Sequence, residues 1–213
     1  MAENPEARAQ EIAEKLSHFT ALTIPVQVEV DVKHSVVNLE EAKRLLQEAK
    51  AINLGDCYCR KTNKNCDRPV NTCLVLNHPI EKVKERDESF RSITLEQALE
   101  MLEASHKAGL VHLAYRNKDG IVNDFCSCCE CCCWFLGALK EYDYHDGVLE
   151  SSHIAKHRSD TCIGCGVCVE KCPFDAWTAS ENGGNPALNE ANCFGCGVCV
   201  SACPVDAIAF EPR

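Results

Sequence analysis

The chain has only two methionines and two tryptophans, and aromatic residues make up 6% of its 213 positions. That scarcity excludes a core built mainly from large rings, so aliphatic side chains must supply the burial. Basic residues are short as well: 22 Lys and Arg stand against 32 Asp and Glu, a net charge of -10. The deficit argues against nucleic acid as a partner, because a phosphate backbone is neutralised by Lys and Arg. No apolar run approaches the roughly 18 residues that cross a bilayer, so no direct membrane insertion is expected. Glycine-rich phosphate loops at a strand-to-helix junction are missing too, which removes the usual mark of a bound nucleotide or flavin. Residues 1–10 are acidic and polar, with no apolar h-region and no cleavage site. A disulfide-forming secretory route is therefore not expected, and a cytoplasmic location is.

What the chain has in excess is cysteine, 18 residues in all. Cysteine this dense in a chain this long calls for metal or disulfides, and the expected compartment favours metal. Cys162, Cys165, Cys168 and Cys172 precede Pro173, and Cys193, Cys196, Cys199 and Cys203 precede Pro204, so the run C-x2-C-x2-C-x3-C-P occurs twice. Three thiolates spaced by three residues on a loop can face one 4Fe-4S cubane, while the fourth reaches the neighbouring one. The expected ligand sets are therefore Cys162, Cys165, Cys168 and Cys203 for one cluster, and Cys193, Cys196, Cys199 and Cys172 for the other. Paired zinc sites are the alternative, but they seldom use three cysteines at this spacing with a fourth before proline. Sliding the chain by 31 residues lays 162–176 on 193–207 with 11 of 15 positions identical. Two copies of one supersecondary unit are implied.

These two runs and their repeat resemble the bacterial two-cluster ferredoxins over residues 151–213. The resemblance implies a small α+β unit with two short hairpins about a pseudo-twofold axis, transferring single electrons at low potential. Between residues 160 and 213 seven carboxylates face Lys171 and Arg213 alone. An acidic surface of that kind would steer redox proteins with a basic docking face.

Upstream, a helix is expected over residues 6–16 and a half-buried strand over 24–32, where valines alternate with polar residues. Asn38 with Glu41 makes a capping-box start, and Leu39, Ala42, Leu45, Leu46, Ala49 and Ile52 recur at helical spacing until Gly55. Thr94 with Gln97 opens a third helix that stops near Gly109, followed by a hairpin turning at 117–120. Helix then hairpin hints at a winged-helix arrangement, but Glu96, Glu100 and Glu103 are wrong for a recognition helix.

Two further cysteine groups lie here: Cys57, Cys59, Cys66 and Cys73, then Cys126, Cys128, Cys129, Cys131, Cys132 and Cys133. All ten are candidate metal ligands. Six thiols in eight residues cannot all serve one cubane, since neighbouring side chains diverge. One or two additional 4Fe-4S or other iron-sulfur clusters, one cluster with several free thiols, one larger site, and zinc all remain open readings. The stretch 50–137, with its CxCR, CDRPxxxCL and FCxCCxCCC segments, resembles a module of ferredoxin-domain proteins of anaerobes, and this adds metal binding and nothing more specific. Arg60 beside Cys59 reads either as a charge offset for a reduced cluster or as a solvated surface residue. His78 and His112 are weak ligand candidates.

The fold class expected is α+β: a cysteine-rich α/β module over residues 1–148 and a two-cluster unit over 149–213. The leading functional expectation is an electron relay, a subunit of a larger low-potential oxidoreductase, with no catalytic residues of its own. The rival expectation is a reductase whose upstream cluster has an open site, or whose cysteines are redox-active, acting on a small substrate such as a disulfide. A redox sensor is a third.

Overall fold

A computed structural model describes residues 33–142 and 148–213, and the helix and strand expected over 6–16 and 24–32 fall outside them. The described residues hold both helices and strands, an α+β architecture as expected. No helix among them is long and apolar enough to cross a membrane.

Six strands form one antiparallel sheet: β1 (Lys33–Val37), β2 (Ile52–Asp56), β3 (Asn71–Leu76), β4 (Arg91–Ser92), β5 (Val111–Arg116) and β6 (Val122–Cys128), in the spatial order β1-β5-β6-β3-β2-β4. Helices α1 (Leu39–Glu48) and α4 (Leu95–Lys107) cover one face. Each begins with a complete capping box: Asn38 Oδ1 accepts from Glu41 N–H at 2.9 Å, and Thr94 Oγ1 accepts from Gln97 N–H at 3.2 Å. Ala42 and Leu46 of α1 and Ala98 and Leu102 of α4 meet Val37, Leu54, Leu74, Leu76, Ala114 and Phe125 of the sheet in an aliphatic core with little ring content.

Helix α1 ends sooner than its apolar spacing implies. Ala49 is already extended, and Ile52 and Gly55 belong to β2. Ile52 buries into the same core from the sheet, so its spacing served burial without continuing the helix. The hairpin β5–β6 forms with its turn at Asn117, whose side chain accepts from Asp119 and Ile121 N–H groups, both at 3.0 Å. It lies in the middle of the sheet between β1 and β3 rather than projecting from it. The winged-helix hint is thereby corrected, because both hairpin edges are paired with other strands and neither is left to enter a groove.

The opposite face carries the chemistry. Side chains alternate along a strand, so Cys126 and Cys128 of β6 and Cys73 of β3 point away from the α1–α4 core that holds Phe125 and Leu74. Short helices α2 (Tyr58–Asn63) and α3 (Ile80–Lys84) lie in the connections between strands, and α5 (Trp134–Tyr142) packs Leu136 and Leu139 against Val36, Val111 and Leu113 on the cysteine face.

Residues 148–213 dock on that same face. Leu149 bridges to Ser35 of β1, and the chain then enters β7 (His153–His157), which pairs with β10 (Ile208–Pro212). Between them lie α6 (Val167–Lys171), the two-residue pair β8 (Trp177–Thr178) and β9 (Ala187–Leu188), and α7 (Val198–Ala202). The 31-residue repeat is visible in the backbone: Gly166 and Gly197 start α6 and α7 with φ of 75° and 78°, and Asp175 and Asp206 both have φ 52°.

Candidate metal centres

None of the 18 cysteines is in a disulfide, and the fold gathers them into four groups. Two groups line small cavities in the C-terminal part. Cys162, Cys165, Cys168 and Cys203 surround the first, with Ile163, Val167, Val205 and Ile208 between them. Around the second stand Cys172, Cys193, Cys196 and Cys199, with Phe174, Phe194 and Phe210. In each the fourth thiol comes from the other repeat, where Cys172 and Cys203 directly follow α6 and α7. Backbone N–H groups point at the sulfurs: Ala176 donates to Cys172 Sγ at 3.4 Å, and Ala207, its repeat equivalent, to Cys203 Sγ at 3.2 Å. Such donors favour added negative charge on sulfur.

The two cavities differ in depth. At the first, Cys165 is exposed and Ile163 is 64% exposed. In the second repeat Phe194 replaces Ile163 and is 2% exposed, and Cys193, Cys196 and Cys199 are each 7% exposed. Burial pushes the Cys199 thiol up to about 12 and raises Cys196 well above the ordinary range. Thiols held protonated in an apolar shell become good ligands only when a cation replaces the proton, which fits a metal group and gives no account of free thiolates. Gly195 lets the backbone pass close to β7: a Cβ there would stand 1.9 Å from the His153 carbonyl oxygen.

The ten upstream cysteines divide into six and four. Cys73 and Cys126 face each other in register across β3 and β6, with their sulfurs 3.8 Å apart. Cys57 just before α2 hydrogen-bonds to Cys73 and to Cys59, while Cys126 does so to Cys128, and Cys128 to Cys133 just before α5. The result is a six-thiol arc on the sheet face, and Tyr115 also hydrogen-bonds to the Cys126 sulfur. The second set, Cys66, Cys129, Cys131 and Cys132, has all four sulfurs within 4.8 Å of one another. The run at 126–133 therefore sends Cys126, Cys128 and Cys133 to one group and Cys129, Cys131 and Cys132 to the other. The expected divergence of adjacent side chains, now with partners 53 to 76 residues upstream, accounts for the split.

Arg60 sits between these two groups and is 2% exposed, so the surface reading is overturned. Its Nε donates to Cys129 Sγ at 3.5 Å, its Nη1 to Thr72 Oγ1 at 3.2 Å and to the Pro69 carbonyl, and its Nη2 to the Ser127 carbonyl at 2.9 Å. Although burial opposes the charge, Cys129 and the thiols of Cys57 and Cys128 hold the guanidinium firmly protonated. His112 lies on the other face of the sheet, fully buried, with Nδ1 3.0 Å from Ser127 Oγ and its ring stacked on His106 and Phe125. It is a core histidine. His78 offers its carbonyl to Asn53 at 2.9 Å. Sequence reasoning missed Tyr115, Asn63 and Asn65 as supports, and the one available signal was two asparagines just before Cys66.

The two cysteine-bearing parts share one apolar core. Val36, Val111, Leu113, Cys128, Cys133 and Leu136 from the sheet and α5 pack with Phe194, Cys196 and Val198 of the second repeat. Around it, Ser151 Oγ donates to Glu41 at 3.1 Å and Ser152 Oγ also donates to that carboxylate, while His106 Nε2 is 2.8 Å from Ser201 Oγ.

No curated protein matches the chain in comparison. Residues 161–208 match the family model described as a 4Fe-4S dicluster domain. That stretch is an iron-sulfur domain that binds 4Fe-4S clusters, and it supports iron-sulfur electron transfer.

Proposed function

We propose that the protein is an electron relay with three iron-sulfur centres in line, a subunit or docking protein of a larger low-potential oxidoreductase. The sets Cys162, Cys165, Cys168, Cys203 and Cys172, Cys193, Cys196, Cys199 would each hold a 4Fe-4S cluster, and the six-thiol arc would hold the third centre. Clusters bound there supply one-electron transfer. The residues around them set its direction. Exposed Ile163 and Cys165 offer a contact point for an external partner at the outer cavity. Phe174 and Phe194, stacked at 4.8 Å, and the buried thiols of the inner cavity keep water from the middle of the line.

The observation that carries this reading is the single apolar core containing Cys196 of the inner cavity together with Cys128 and Cys133 of the upstream arc. A carrier that only shuttled electrons in and out through its two C-terminal centres would have no use for placing the inner one against a third group of thiols.

The test is anaerobic rapid-freeze EPR of the full chain mixed with a reduced protein donor. About 12 iron per chain with matching sulfide is expected, with the upstream signal appearing after the C-terminal ones. In a Cys196→Ala variant, donor-driven reduction of the upstream centre should slow at least tenfold, while small-molecule reduction by dithionite persists. An unchanged donor-driven rate in that variant, or only about 8 iron in the wild type, would refute the relay.

A further inference from the structure

We propose that Cys66, Cys129, Cys131 and Cys132 form a closed mononuclear zinc site that braces the upstream centre and takes no part in electron flow. The sulfur spacing is the first argument. Cys66 stands 3.7 Å from Cys129 and 3.9 Å from Cys132, and Cys131 is 3.9 Å from Cys132. Four thiolates on one zinc with Zn–S near 2.3 Å form a tetrahedron whose edge is about 3.8 Å. In a cubane each thiolate binds a different iron, so the sulfurs are held apart by the width of the whole cluster. All four sulfurs here lie within 4.8 Å of one another, the size of a single ion, whereas in the six-thiol arc Cys73 and Cys126 are one close pair in a wider chain of thiols.

The surroundings are those of a structural site. Asn65 N–H donates to the Cys132 sulfur and Arg68 N–H to the Cys66 sulfur, and Arg60 Nε adds a third donor at Cys129 Sγ, 3.5 Å away. Donors of this kind hold thiolates in place and offset the excess negative charge of four of them on one divalent ion. Asn63 Nδ2 and Asn65 Nδ2 grip the carbonyls of Cys132 and Cys131 at 2.8 and 2.6 Å, and Arg68 pairs with Glu130 at 3.0 Å. With four cysteine ligands and no vacant position, the site has no place for substrate.

Its location gives it a purpose. The loop carrying Cys66 follows α2, which bears Cys59, and the 129–132 turn separates Cys126 and Cys128 from Cys133. Both segments thus bring ligands to the six-thiol arc, and a redox-silent zinc would clamp them together while the charge on the neighbouring centre changes.

The full-length chain, produced with both metals in the medium and purified without oxygen, should carry one zinc per chain in addition to its iron. Zinc-edge X-ray absorption should show four sulfurs at about 2.3 Å. Cys131→Ser should drop zinc below a tenth per chain and leave the iron of the two C-terminal cavities in place, while the upstream centre, its clamp gone, loses iron at least tenfold faster under anaerobic chelation. If that variant does not fold, the wild-type zinc count and absorption spectrum decide. Zinc absent from the wild type, a mononuclear ferric signal in its place, or a Cys131→Ser chain that loses iron while keeping its zinc would each overturn the assignment. Two or more zinc per chain with only about 8 iron would leave this site standing and would instead remove the third centre of the relay.

Discussion

Arg60 shows how much one side chain decides here. It is a buried cation whose hydrogen bonds end on one thiol, one hydroxyl and two carbonyls, with one group of thiols on each side. Replacing it with methionine keeps much of the volume and removes the charge. The Arg60→Met chain should lose about 3 kcal/mol of stability, because partners made for a cation are left buried and unpaired. It should also lower the upstream reduction potential by on the order of 60 mV, a tenfold change in a one-electron equilibrium. Anaerobic denaturation and a potentiometric EPR titration measure the two effects separately. A pair of glycines makes a second contrast at this scale. Gly166 and Gly195 both have positive φ, 75° and 69°, but a Cβ at Gly166 meets nothing within 4 Å whereas one at Gly195 strikes the His153 carbonyl. Gly166→Ala should therefore cost only about 1–2 kcal/mol of backbone strain. Gly195→Ala must also push β7 away from the inner cavity, and it should lose the iron of that cavity, measured as a drop in iron per chain that Gly166→Ala does not show.

Among the elements, the two capped helices look alike in sequence and do different work. Gln97 closes the box of α4 on an exposed helix end and does nothing else that the structure shows. Glu41 closes the box of α1 and also receives the hydroxyls of Ser151 and Ser152, tying the helix to the segment that leads into β7. Removing Gln97 should cost about 1 kcal/mol, the ordinary worth of a cap, whereas Glu41→Ala should cost about 2–3 kcal/mol because charge-assisted bonds are lost with it. Acid should mimic the second change. Burial works to raise the Glu41 pKa, but Ser152, the Asn38 N–H and Ser151 outweigh it and hold the carboxyl below its ordinary value. A depressed carboxyl contributes its stability above the unfolded pKa and loses it as pH falls through the folded one. Unfolding monitored between pH 6 and 3 should thus show a loss in the wild type that is smaller in Glu41→Ala.

For the whole molecule, the distribution of charge and depth predicts how partners meet it. The net charge is -10, and α4, which packs against α7 of the second repeat, carries Glu96, Glu100 and Glu103 along one side. Association with a basic redox protein should slow as salt rises from about 50 to 500 mM, since the Debye length shrinks from roughly 13 to 4 Å across that range. Glu96→Lys with Glu100→Lys should reduce the association rate at low salt and weaken its salt dependence, read by stopped-flow. A rate indifferent to both salt and these substitutions would mean that this charge does not steer the partner to its contact at Ile163 and Cys165.

Parts of this protein were legible before any fold was known, and the reason is locality. A repeat of eight cysteines at fixed spacing encodes its chemistry within two short loops, so the 4Fe-4S character of residues 161–208 needed only the chain. Capping boxes at Asn38 and Thr94 were readable for the same reason, each being a contact between residues three apart. The end of α1 was not, because Ile52 satisfies one core equally well from a helix or a strand. The upstream thiols lay furthest beyond reach. Which of six cysteines in eight residues joins Cys73 and which joins Cys66 depends on the register of β3 against β6 and on where the loop after α2 comes to rest. Strand register and loop placement are set by the packing of two helices and a sheet, interactions between residues far apart in the chain, and only the tertiary structure could divide ten thiols into six and four and bury Arg60 between them.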